Sequence, residues 1–142
     1  MIYTVILNSN LRTSGSVGNA TYNFDWTNFK EGQYIMSFGF CSGSVNIPTG
    51  DTIIVSADLG QSNVFVCSPI TTRAQSSQII GTAIQNETGV SFYYGDKNTN
   101  GPILLNRPTN NQFNVKLQTT DLIPLEITTV ANYILNLSFE KV

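Results

Sequence analysis

The chain has 142 residues, a net charge of -2 and seven basic side chains, Arg12, Lys30, Arg73, Lys97, Arg107, Lys116 and Lys141, scattered along its length. No basic stripe is available to follow a phosphate backbone, which excludes nucleic-acid binding as the main task, and no apolar run approaches the roughly 20 residues that span a bilayer. Charged residues are 11% of the chain, against about 25% in ordinary domains, so the polar surface is built from Asn, Gln, Ser and Thr.

Residues 2–7 read as a first strand, apolar but with no basic segment before it and no small-residue cleavage site, as expected of a chain made in the cytosol. Residues 8–19 follow as a long turn-rich loop. Residues 20–26 set Tyr22, Phe24 and Trp26 against Thr21, Asn23 and Asp25, a strand with an aromatic face. Lys30, Glu31 and Gly32 supply a turn into residues 33–42, which carry the clearest alternation in the chain. There Tyr34, Met36, Phe38 and Phe40 share one face, and Ile35, Ser37, Gly39 and Cys41 the other. A break at Ile47, Pro48 and Gly50 precedes a strand over 52–59, with Ile53, Val55 and Ala57 on one side.

Further strands are expected at 64–67, 78–84, 90–94, 103–106, 112–118 and 132–141. An exposed loop lies at 71–77, a turn at 86–89, a loop at 96–102, and an edge strand around Asp121 and Pro124. Eight to ten short strands with no long amphipathic helix predict an all-β domain over residues 1–142. Their number and the absence of an immunoglobulin-type Cys and Trp spacing favour a single jelly-roll sandwich of antiparallel strands over an immunoglobulin fold. In that fold the first and last strands pair in the middle of one sheet, beside residues 33–42. Tyr34, Phe38, Tyr133, Leu135 and Leu137 then share a core.

Chemistry is sparse. The chain has no histidine, the commonest general base and metal ligand, and its glycines are isolated at turns instead of forming a phosphate loop. Cys41 and Cys67 lack metal-ligand spacing and read as free thiols buried in strands. The carboxylates Asp25, Asp51, Asp58 and Asp96 have no spacing that brings two together, so no catalytic residue and no cofactor is expected. The sharpest local pattern is Asp96, Asn98 and Asn100 before Gly101, the first half of a calcium loop. The pattern fails at Arg107, where a bidentate Glu belongs, and a tight Asn-Gly turn between strands accounts for the same residues. Tyr93 and Tyr94 beside that loop are candidates to stack on a sugar ring.

Several phrases together carry a resemblance: I-L-N-S-N-L-R-T-S-G leading to A-T-Y-N-F-D-W, then G-Q-Y-I-M-S-F-G-F, A-D-L-G-Q-S, R-P-T-N-N-Q-F-N-V and Y-I-L-N-L-S-F-E. In these the chain resembles the small single-jelly-roll virion proteins of large eukaryotic DNA viruses and their virophages, over nearly its whole length. The resemblance implies a capsid vertex (penton) protein or a minor capsid component, located in the virion and synthesised in the host cytoplasm. The chain departs from such subunits in starting almost directly on its first strand, without the extended N-terminal arm that often ties neighbours together.

The leading expectation is a structural subunit acting by self-association, as a pentamer or trimer, and by packing against other capsid proteins. Residues 8–19 and 68–77 are its expected contact regions. Amides and hydroxyls cost less to bury than ions, which suits that task. The alternatives are a trimeric fibre or spike head that binds a host receptor or glycan, and a free-standing carbohydrate-binding module. None of the three calls for nucleic acid or a membrane.

Overall fold

The computed structural model describes residues 1–45, 52–59, 79–84, 92–94, 102–118 and 130–142. Among them ten strands form two antiparallel sheets: β1 (Ile2–Asn8), β2 (Ser14–Ser16), β3 (Asn19–Asn23), β4 (Gln33–Val45), β5 (Thr52–Ala57), β6 (Ile79–Ile84), β7 (Phe92–Tyr94), β8 (Ile103–Asn106), β9 (Gln112–Gln118) and β10 (Val130–Lys141). The strand expected at 64–67, the loop at 71–77, the turn at 86–89 and the edge strand near Asp121 lie outside the described residues.

The first sheet runs β1-β10-β4, and beyond β4 the same edge is taken by β8 at Gln33 to Met36 and by β7 at Phe40 to Ser42. The second sheet runs β2-β3-β9-β5-β6. Setting the three-residue β2 and β7 aside, the remaining eight strands fall first-eighth-third-sixth in one sheet and second-seventh-fourth-fifth in the other. That is the interleaving of a jelly roll, in which hairpin-paired halves of the chain wrap so that each sheet draws on both. The pairing of first, last and organising strands is as expected, except that β10 holds the middle of the sheet and β1 its edge.

Period-two alternation builds the core. Val5 and Leu7 of β1, Tyr34, Met36, Phe38 and Phe40 of β4, and Tyr133, Leu135, Leu137 and Phe139 of β10 all point inward and are buried. They meet Ala20 and Tyr22 of β3, Ile53, Val55 and Ala57 of β5, and Phe113, Val115 and Leu117 of β9. Trp26 closes one end of the space between the sheets. Its ring lies 5.6 Å from Phe113 on one sheet and 5.6 Å from Phe139 on the other, and its Nε1 donates to the Asn110 carbonyl at 2.9 Å.

Trp26 reaches that position because the expected aromatic strand stops early. β3 ends at Asn23, and the Asp25 carboxylate accepts from the Thr27 amide at 3.0 Å and the Thr27 hydroxyl at 2.6 Å. Those bonds cap a 3₁₀ turn, Trp26–Asn28, in place of further strand. They also hold the Asp25 carboxyl below its ordinary range, the side-chain bond from Thr27 being the main cause.

The stretch 8–19 is likewise more structured than a loop. Asn8 caps a 3₁₀ turn, Ser9–Leu11, and β2 pairs with β3. Gly15 makes that pairing possible: its φ of +86° is unfavourable for other residues, and a Cβ there would stand 2.2 Å from the Asn19 carbonyl oxygen. The strand expected over 52–59 ends at Ala57, and the Leu59 amide turns back onto the Ala57 carbonyl at 2.9 Å.

Candidate interaction face

The residues named as candidates for chemistry are used structurally or fall outside the described set. Asp25 is the turn cap just described, and Asp58 accepts from the Asn110 side chain at 3.2 Å. Arg107 donates to the Phe29 carbonyl at 3.0 Å and to the Glu31 carboxylate at 3.4 Å, fastening the turn that leads into β4. Asp51, Asp96, Asn98, Asn100 and Cys67 lie outside the described residues, so the calcium loop does too. In the ladders Cys41 stands opposite Ile134 on one side and Tyr93 on the other, and Tyr94 stands opposite Phe40.

Among the described residues a polar pair spans the core. Tyr22 and Tyr133 come from opposite sheets, and their buried hydroxyls are hydrogen-bonded at 2.8 Å. Burial is the main cause that pushes both phenols above the ordinary tyrosine range, and the neighbouring Tyr22 adds to the shift of Tyr133. The Tyr133 amide donates to the buried Ser9 hydroxyl at 2.9 Å, which joins the 3₁₀ turn after β1 to β10. A half-open groove of about 420 Å³ lies near the start of β4, lined by Gln33, Leu59, Leu104, Leu105, Arg107 and Pro108 among others. Among its described lining residues the one charged group is Arg107, which is already bonded.

The most distinctive surface is the outward face of the first sheet. Following the ladders, Ile2, Glu140, Ile35 and Leu104 form one row, Thr4, Ser138 and Ser37 the next, and Ile6, Asn136 and Gly39 a third. Ile2 is 65% exposed and Ile6 66%; Leu104, Ile134 and Ile35 are exposed as well. Glu140 is the one charged side chain among the described residues of this face. Scattered surface isoleucines need no explanation, but five large aliphatics interleaved with hydroxyls and amides on one sheet face form a surface inexpensive to desolvate. Sequence reading had placed Ile35 and Ser37 on the second face of β4. It missed the face as a whole, because the rows exist only once the four strands are in register.

No family model matches the chain, and no curated protein matches it.

Proposed function

We propose that this chain is a structural subunit of a virion, a capsid vertex or minor capsid protein that works by associating with itself and with other capsid proteins. A jelly roll hosts many functions, so the strand order by itself is a weak argument. The observation that carries the reading is the outward face of the first sheet: apolar and amide-rich, with a single carboxylate among its described residues. It is backed by a core in which Trp26, Phe113 and Phe139 tie the two sheets together, so the face is presented on a rigid support. Burying such a surface between copies leaves few ions to desolvate, and about 800 Å² per partner is the usual area of a stable contact. The chain would be made in the host cytoplasm and reside in the virion.

The test is the mass of the purified chain by light scattering over a concentration series. A closed form of five copies, or a multiple of five, supports the vertex subunit. A stable trimer overturns the vertex reading in favour of a fibre or spike head. A chain that never exceeds two copies, and does not join capsid proteins when mixed with them, overturns the structural reading altogether.

A further inference from the structure

Among the described residues the first sheet ends at β1, whose one partner strand is β10. β1 pairs with β10 in unbroken register from Ile2 opposite Glu140 to Asn8 opposite Ile134. The Met1 carbonyl accepts from the Lys141 amide, and the Ser9 hydroxyl accepts from the Tyr133 amide. The odd positions of β1 therefore turn their main-chain groups towards β10. In an antiparallel ladder the alternate residues face the other way, so the N–H and C=O groups of Ile2, Thr4 and Ile6 point out of the sheet. Their side chains are exposed on the outward face, and among the described residues no strand pairs with this edge.

Proteins usually blunt such an edge with a charge, a proline, a bulge or extreme shortness. The other described ends of the sheets do so: β2 has three residues, β7 three and β8 four, and β6 lies across a register shift at Val55 and Ser56. β1 has seven residues, I-Y-T-V-I-L-N, with no charge, no proline and no bulge.

The occupant follows from the order of its outward groups. An antiparallel copy centred on Thr4 sets Thr4 against Thr4, Ile2 against Ile6 and Ile6 against Ile2. Each is a hydrogen-bonded pair, giving about six main-chain bonds in all. β-branched residues then face one another across the seam, a favourable cross-strand match, with no like charges opposed. The row of Thr4, Ser138 and Ser37 continues unbroken into the same row of the second copy.

We infer that β1 is a self-complementary docking edge, at which a second copy of this chain adds its own β1 antiparallel about a two-fold axis at Thr4, joining two five-stranded sheets into one of ten strands. The contact is isologous and closed, so it yields a pair and not a fibre. It does not depend on the proposed function: rings of five or three would close through other surfaces, and this seam would join one subunit to another across a two-fold.

Single-cysteine variants in a Cys41→Ser, Cys67→Ser background, treated with a short bifunctional thiol reagent and mapped by peptide mass, test it. In Thr4→Cys the two positions fall about 5.5 Å apart, whereas in Ile2→Cys alone they are separated by four residues along the strand, roughly 13 Å. With a reagent that spans only the shorter distance, Thr4→Cys links to itself. Ile2→Cys and Ile6→Cys link to each other when mixed, and neither links to itself. In the chain without added cysteines, Thr4→Pro removes an outward N–H that β10 does not use and halves the mass of the paired species, with the near-ultraviolet circular dichroism unchanged. Absence of the position-4 link, or equal self-linking by Ile2→Cys, overturns the inference. So does a Thr4→Pro chain that is folded and still paired.

Discussion

The outward faces of the two sheets are built from similar residues and meet opposite fates. On the first sheet Ile2, Ile6, Ile35 and Ile134 stand in solvent. On the second, Ile54 of β5 and Ile79 of β6 also fall on the side turned away from the main core cluster, yet they are 3% and 0% exposed. Ser56 and Gln118 beside them are buried too, with the Ser56 hydroxyl 3.5 Å from the Gln118 side-chain oxygen. Further along the second sheet the outward face is polar, and Asn114 donates to the Asn19 side-chain oxygen at 2.6 Å and to the Ala20 carbonyl at 3.1 Å. One sheet is thus finished within the chain, by cover at one end and hydrogen-bonded amides at the other. The first sheet is left apolar and open, as expected of a surface completed by another molecule.

Lysine substitutions at two isoleucines break this comparison most sharply. Ile54→Lys places an unpaired charge where there is no water, and a loss of about 3–5 kcal/mol is expected, enough to leave a marginal domain largely unfolded at 37 °C. A Tm within a few degrees of the parent would show that the second sheet is open after all. Ile134→Lys, on the exposed side, should stay within about 0.5 kcal/mol of the parent in denaturant melts. Its effect should appear in assembly instead, as weaker association at equal protein concentration.

Next in size is the tyrosine pair that links the sheets. Tyr133→Phe leaves the buried Tyr22 hydroxyl without its partner, and about 1–3 kcal/mol is expected in urea unfolding. The same pair contributes to an alkaline limit, to which the buried Tyr34, also raised by burial, adds. Both phenols of the pair have folded pKa values above the roughly 10 of an unfolded tyrosine, so their contribution is complete below pH 10 and is lost as pH rises beyond it. Stability measured from pH 8 to 11 should fall above 10, and Tyr133→Phe should flatten that fall. A parallel fall in both chains would assign the limit to other groups.

The smallest effect belongs to the amide face of the second sheet. Asn114→Ala removes two hydrogen bonds at a partly solvated site, and about 0.5–1.5 kcal/mol is expected with association unchanged. A change in association would mean that both outward faces take part in assembly.

Much of the strand layout was legible from local pattern. Residues 103–106 and 112–118 became strands with the expected bounds, because alternation runs cleanly between turn residues. Tyr34, Phe38, Tyr133, Leu135 and Leu137 share the core as expected, since inward phase is written into the period of two. The aromatic strand over 20–26 failed where a capping carboxylate, Asp25, competed with the ladder for the backbone. Ile53, Val55 and Ala57 of β5 share the inward side as expected, while the burial of Ile54 and Ser56 on its other face was not legible from alternation. The candidate face was legible only in part: β4 displayed its own outward residues, while Ile2, Ile6, Ile134 and Leu104 join them through register alone.

The class of fold, the phase of each strand and the low charge of the surface are local properties, since they follow from side-chain period and composition. Tertiary structure alone decided which outward face meets water. Ile54 and Ile134 are locally alike, an isoleucine on the second face of a strand, and what lies across from each is set by distant parts of the chain. The open edge of β1 has the same origin: an edge is a property of strand order, and strand order is settled by non-local pairing that no window of sequence contains.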